Sequence, residues 1–265
     1  AQMLGAPGRG VPTIIEMVHH TRLDTAMAPA GLMRGALAEA QHWAAHRSAF
    51  QRRLIDQPLM QAVLADLALD TEGALALGLR IARAFDGNTE QDRALARIGV
   101  ALAKFLSNKR CPQVTYEAME VLGGMGYVED TPMPLYYREA PLNGIWEGSG
   151  NVICLDILRT LARDPLAGEC LADELKAAAG ADRRYDAALK AHVTRWPKLP
   201  PEAEARWFAE RTALLLTASI LLRHAPGAVA DGFVATRLAG DGGRITGAMG
   251  GVDTDAILDR IAPPA

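Results

Sequence analysis

From Pro58 to Phe85 the chain runs without an internal proline, and Met60, Val63, Leu64, Leu67, Ala74, Leu75 and Gly78 fall on the i, i+3, i+4, i+7 grid of one helical face. A stretch this long with one apolar stripe has to be a helix packed on other helices. Pro58 suits a first helical turn, and Asp86-Gly87-Asn88 is a stop signal. The same reading predicts a helix over about Thr13 to His46 and another over Glu90 to Leu122, with Pro29 and Pro112 as kink points. Three long helices joined by short turns pack antiparallel. Ala and Leu outnumber the β-branched residues and aromatics are only 5% of the chain, which argues against a sandwich or barrel. The expected class is all-α, an antiparallel helical bundle with an additional helical C-terminal extension.

Gly123-Gly124-Met125-Gly126 breaks the third helix, and Thr131 to Gly150 is rich in Pro and Gly. A further helix is expected from Ser149 or Asn151 to Arg163, closed by Asp164-Pro165. Beyond it the pattern predicts helices near Leu166 to Ala179, Arg184 to Val193 and Glu202 to His224, after a Pro-punctuated link at 196–201. A boundary is therefore placed near residue 165, dividing a unit over 1–165 from an extension over 166–265.

The 265 residues are 49% hydrophobic and 22% charged with a formal net charge of −3, so the chain buries a real core and carries no global field for a polyanion. The longest strongly apolar stretch, Leu214 to Leu222, is far shorter than the ~20 residues of a membrane span. Nothing at the start resembles a signal peptide. Cys111, Cys154 and Cys170 are odd in number and widely spaced, which fits a reduced, cytoplasmic compartment and no metal site. The adjacent His19 and His20 point in different directions on a helix and read as solvated or satisfied rather than as ligands.

The most unusual passage is Ile145-Trp146-Glu147-Gly148-Ser149-Gly150-Asn151, which places a carboxylate between an aromatic and glycines at the entrance of a helix. Glycines let backbone approach a ligand. Ser149 or Asn151 can cap the helix, and its free N–H groups suit a flavin edge or a phosphate. Glu147 beside Trp146 is a candidate base for a weakly acidic C–H; the alternative is an acidic residue that merely complements the helix dipole. Arg47, Arg52 and Arg53 surround Phe50 at the end of the first helix, a pairing that suits phosphate and an aromatic ring, or a solvated helix terminus. Gly123 and Gly124 offer close backbone approach, or a helix C-cap.

Taken in order, these stretches resemble the C-terminal helical domain of the acyl-CoA dehydrogenase superfamily. Leu4 to Gly10 resembles the family's LGEEGxG turn, Thr21-Arg22 its T-R pair, and Arg47-Ser48-Ala49-Phe50-Gln51 its R-x-x-F-G segment. Residues 120–127 resemble Q-x-x-G-G-x-G-[YF], Tyr137-Arg138-Glu139-Ala140 resembles Y-R-D-A, and 145–149 resembles I-Y-E-G-T. In detail MEVLGGMGY, LYYREAPLN and IWEGSGNVICLDILR look most like the AidB-type, adaptive alkylation-response branch.

The resemblance implies FAD as cofactor and α,β-dehydrogenation of an acyl-CoA thioester, with Glu147 matching the carboxylate that removes the α-proton. It implies that Arg47 and Phe50, with Gly123 and Gly124 beside them, reach a neighbouring subunit's FAD in a homo-oligomer, dimer or tetramer. Ser149 and Asn151 match flavin contacts within one subunit, and Arg22, Trp146 and Arg159 line the substrate cavity. Three positions depart from the pattern: Gln51 replaces a glycine, and Pro58 and Glu120 each replace a glutamine. The family builds its pocket from further N-terminal and middle domains, so the expectation is a C-terminal part that does not dehydrogenate alone. The alternatives are a duplex-DNA-protecting protein of the alkylation-response type, or an oligomerisation module without chemistry. Residues 166–265 carry 12 Lys and Arg against 13 Asp and Glu, which does not support a DNA-binding tail unless Arg183, Arg184, Lys190 and Arg195 cluster.

Overall fold

The computed structural model describes residues 2–262. Three long helices form its frame: α1 (Gly10–His46), α2 (Pro58–Asp86) and α3 (Glu90–Val121). Their pairing is antiparallel, as the short connections require. His19 of α1 meets Phe85 of α2, and a Cβ on Gly78 would strike the Met27 sulfur, while Gly99 of α3 admits Ile81 in the same way. Asp70 of α2 reaches Arg110 of α3. Glycine at 78 and 99 thus lets helices approach where any side chain would intervene.

Helix ends follow their local chemistry. Thr89 accepts from the Asp92 N–H while Asp92 bonds back to the Thr89 N–H, a capping box that starts α3. Pro58 occupies the first turn of α2, where its missing N–H costs nothing. Pro29 and Pro112 lie inside α1 and α3 without ending them. Pro29 leaves the Thr25 carbonyl without its helical donor. The Asn108 side chain of α3 supplies one, donating to that carbonyl at 2.8 Å.

A two-residue hairpin follows α1: β1 (Ser48–Ala49) pairs with β2 (Arg52–Arg53). It replaces the solvated helix terminus expected there. Phe50 and Gln51 form its turn at φ of 53° and 65°, backbone states that strongly favour glycine or asparagine. After α3 come two short helices, α4 (Gly124–Tyr127) within the expected glycine break and α5 (Met133–Glu139) within the Pro- and Gly-rich passage 131–150. Then α6 (Gly150–Arg163) lies antiparallel on α3, with Asp156 opposite Arg97 and Gly150 beside Lys109.

The remaining elements are α7 (Pro165–Lys176), α8 (Arg183–Arg195), α9 (Ala205–His224), α10 (Gly227–Phe233) and α11 (Thr254–Ile261). The expected helix at 202–224 begins with a separate tight turn at Glu202–Glu204, and α10, α11 and a widened π-helical turn over Val234–Ala239 were not anticipated. The boundary expected near residue 165 coincides with the Asp164–Pro165 junction of α6 and α7, and one apolar core runs across it from Ala26 to Ile261. Ion pairs join the two stretches: Arg237 to Asp66 and Asp70, and Glu174 to Arg80. Among the described residues no helix is long and apolar enough to cross a membrane.

Candidate functional site

The passage 143–149 lies across the middle of the bundle, between α1, α3 and the start of α6. Its geometry is set by two cations. Lys104 of α3 donates to the carbonyl of Asn143 at 3.0 Å and to that of Gly148 at 2.9 Å. Arg22 of α1 donates through Nε to the carbonyl of Glu147 at 3.0 Å. Glu147 itself is half-buried and sits at φ 55°, a left-handed state that costs a non-glycine residue ~1 kcal/mol or more. Gly148 follows at φ 107°, which only glycine adopts readily. Trp146 is 49% exposed and its indole N–H donates to Asn143 Oδ1 at 2.9 Å. The carboxylate is thus presented beside an exposed aromatic face, on backbone that buried groups hold in place.

Behind this loop stands a charged cluster that the sequence reading did not find. Asp156 of α6 accepts from Arg22 at 2.8 Å and, at both oxygens, from Arg97 at 2.9 and 2.8 Å. Burial disfavours its charge, but the bonds and charge of Arg97 and then Arg22 outweigh burial and hold the carboxyl below the usual range. Burial, with Arg22's positive charge, pushes the Lys104 ammonium down to about 8, against the attraction of Glu147. Burial and the neighbouring Arg97 push His19 down to about 4, so its imidazole is neutral near pH 7. The only linear sign of this cluster is a lysine inside the apolar run Val100-Ala101-Leu102-Ala103-Lys104-Phe105-Leu106, where a charge needs a buried partner.

The residues singled out from the sequence divide into two groups. Arg22, Trp146, Glu147, Ser149 and Asn151 come together at mid-bundle. Arg22 serves there as an ion-paired, mostly buried support rather than as open cavity wall. Ser149 occupies the N-cap position of α6 but makes no side-chain cap bond, and Asn151 instead accepts from Arg206 of α9 at 2.9 Å. The expected side-chain cap is absent, which leaves the first N–H groups of α6 without one. Arg159 lies eight residues along α6 from Asn151, about 12 Å at helical rise, exposed and with no ion pair among the described residues.

Arg47, Phe50, Gly123 and Gly124 lie at the far end of the bundle, where α1 and α3 terminate. From Lys104 to Gly123 is roughly 28 Å along α3. There Phe50 is 93% exposed at the tip of its left-handed turn, and Arg47 is exposed with no ion pair among the described residues. Gly123 has φ 61° and ψ −139°, closed to side-chain-bearing residues, and a Cβ on it or on Gly124 would meet nothing within 4 Å. The two glycines therefore present bare backbone to open space.

In the C-terminal stretch, two of the four residues of the candidate basic cluster are ion-paired. Arg184 pairs with Asp182 and Asp231, and Arg195 pairs with Glu204 while lying 3.8 Å over the Trp207 ring. All three cysteines are free. Among the described residues no three His, Cys, Asp or Glu gather as a metal-binding group.

The helical frame agrees with the comparisons with known proteins. The profile described as "Acyl-CoA dehydrogenase, C-terminal domain" matches residues 8–162, and the chain belongs to the acyl-CoA dehydrogenase family. It is 38% identical to AidB of Escherichia coli over 242 residues, 91% of this chain and 44% of that protein. Among solved structures it resembles ACDH-11 of Caenorhabditis elegans in complex with C11-CoA, at a TM-score of 0.77 and 26% identity, over 89% of this chain and 44% of that one. An acyl-CoA dehydrogenase of Bacillus anthracis complexed with FAD shares the fold at a TM-score of 0.64 and 17% identity, over 97% of this chain and 49% of that one. The chain thus spans less than half the length of these relatives. It is a C-terminal acyl-CoA dehydrogenase domain, of a family whose members use FAD.

Proposed function

We propose that these residues form the C-terminal wall of a FAD-dependent acyl-CoA dehydrogenase site, in which the Glu147 carboxylate removes the α-proton of an acyl thioester. The observation that carries this reading is the left-handed Glu147, half-buried beside Trp146 on backbone held by Lys104 and Arg22. Strain of this kind persists only where surrounding structure enforces it. FAD, when bound, supplies acceptance of the β-hydride. Ser149, Asn151 and the uncapped start of α6 would face its flavin side. Arg159 and Trp146 would line the cavity for the thioester.

The second group fits the pyrophosphate and adenine side of FAD carried by a neighbouring copy. Its Arg47 guanidinium has no ion pair among the described residues, Phe50 is almost fully exposed, and Gly123 and Gly124 offer open backbone. The roughly 28 Å between the two groups supports their serving two cofactors in a dimer or tetramer. Exposed Val11, Ile14, Ile15 and Met17 on the first turns of α1 support such self-association. The free cysteines support a cytoplasmic location. The DNA-protecting alternative draws no support from residues 166–265, whose 12 Lys and Arg are balanced by 13 Asp and Glu and whose Arg184 and Arg195 are ion-paired.

The test is spectroscopic. In the flavin-bound protein, anaerobic addition of an acyl-CoA bleaches the visible flavin band, and Glu147→Gln abolishes the bleaching while leaving flavin bound. Bleaching at an unchanged rate in Glu147→Gln would remove Glu147 from the chemistry. The 265 residues alone are expected to lose FAD on desalting, because much of the enclosure that excludes water lies outside them; stoichiometric retention would show that they enclose the flavin themselves.

A further inference from the structure

Lys104 is 1% exposed, in the middle of α3, and among the described residues no carboxylate pairs with it. A buried ammonium without an acid partner is expensive, and a methionine of similar length would fill the same space without that cost. What the lysine gains is specific: its two acceptors, the Asn143 and Gly148 carbonyls, bracket the segment Gly144 to Glu147. One side chain therefore closes both ends of the loop onto α3. The void left beneath the loop, bounded by Lys104, Asn108, Gly144 and Gly148, is only about 10 Å³. It holds at most a single water, so the loop is packed closely on Lys104.

The loop needs such a restraint. Glu147 and Gly148 both stand in left-handed backbone, and the bond from Arg22 fixes only the Glu147 carbonyl. Without Lys104 the glutamate is free to relax to negative φ, which would swing its carboxylate away from the present direction. Trp146 is tied to the same device, because Asn143 accepts from the indole N–H through its side chain and from Lys104 through its carbonyl.

On the reading of Glu147 as the base, we propose that Lys104 is a positioning residue, which locks the Asn143–Gly148 loop in the strained conformation that presents the Glu147 carboxylate. Lys104 touches no substrate and acts through the loop backbone alone.

The test reads the loop directly in the full 265-residue chain. Amide hydrogen exchange is followed for residues 144–149 and, as an internal reference, for the core of α3, with the ¹⁹F resonance of fluorotryptophan at 146 as a second probe. Lys104→Met should raise loop exchange roughly tenfold to a hundredfold relative to the core, the effect of losing two charge-assisted bonds, and move the Trp146 resonance toward that of free tryptophan. Lys104→Gln, which keeps an N–H donor, should restore part of the protection. Glu147→Gln should leave loop exchange as it is. Unchanged loop exchange in Lys104→Met, or an equal loss of protection in loop and core in both Lys104 variants, overturns the proposal. These readouts need neither flavin nor thioester, so they are separate from the bleaching test of Glu147 itself.

Discussion

Replacing Arg237 by methionine tests whether the C-terminal stretch is integral to the bundle. Arg237 lies in the π-helical turn after α10 and reaches back to α2, donating to Asp70 Oδ1 at 3.1 Å, to the Asp66 carbonyl at 3.2 Å and to the Asp66 carboxylate. Asp66 and Asp70 are buried and Arg237 is mostly so, at 9%, 6% and 14% side-chain exposure. Methionine preserves the volume and deletes the charge. Asp70 keeps Arg110, but the Asp66 carboxylate is left with the Gly247 N–H at 2.8 Å. Removing one partner of a buried pair costs about 3–5 kcal/mol, because the remaining charge stays desolvated. For a chain of this size that corresponds to a fall of roughly 6–20 °C in Tm.

Thermal unfolding followed by far-ultraviolet circular dichroism measures this deficit. Its pH dependence identifies the cause. Burial works against the charge of Asp70, but Arg237 and Arg110 outweigh it and hold the carboxyl below its unfolded value. That stabilisation is present above the unfolded carboxylate range and is lost as pH falls through the lower folded value. The gap between wild type and Arg237→Met should therefore narrow in acid, and adding Asp66→Asn to the variant should recover part of the loss at neutral pH. A Tm within about 2 °C of wild type would refute the electrostatic account, since it corresponds to less than ~1 kcal/mol. Two separated transitions in the wild type would show that residues 166–265 unfold on their own.

The charge of Lys104 is disfavoured by folding, whereas that of Asp70 is favoured. The slope nevertheless has the same direction as for Asp70 and differs in its pH window: the folded value of Lys104 is lowered to about 8, so stability should rise with pH from near that value up to the unfolded lysine range, and Lys104→Met should remove the slope from urea denaturation curves; Arg22, Glu147 and Lys109 are the charged groups acting on it. Asn108→Ala should destabilise by about 1–3 kcal/mol, because the Thr25 carbonyl beneath Pro29 loses its donor. Adding Pro29→Ala should recover part of this loss in chemical denaturation, since the restored N–H can serve that carbonyl. Gln51→Gly should stabilise by about 0.5–1 kcal/mol by relieving φ 65°, and an unchanged denaturation midpoint would show that the hairpin carries no strain. Phe50→Ala should leave the denaturation midpoint within about 0.5 kcal/mol of wild type yet weaken self-association in light scattering, as expected of an exposed contact residue.

Legibility in the sequence followed the range of the forces involved. The boundaries of α2 and α3 match the predicted ones within a residue or so, because apolar period, Pro58 and the Thr89–Asp92 pair act within a few residues. The Glu147 loop was visible as an odd sequence of aromatic, acid and glycines. Its support was not, since Lys104, Arg22, Arg97 and Asp156 meet from three helices, and the lysine in its apolar run signals a buried charge without naming the partners. The hairpin at 48–53 is not legible in the sequence because Phe50-Gln51 lacks the glycine or asparagine that signals such a turn.

Sequence alone determined that this chain is a helical bundle, where its long helices start and stop, and which glutamate stands at the entrance of α6, because period and capping are local properties. Tertiary structure decided how that glutamate is held, how α9 and α10 join the core, and that Arg47 and Phe50 stand far from Glu147. Those outcomes depend on buried charges that find partners over long separations, Arg237 with Asp66 and Arg22 with Asp156, and on backbone states that only packing can enforce.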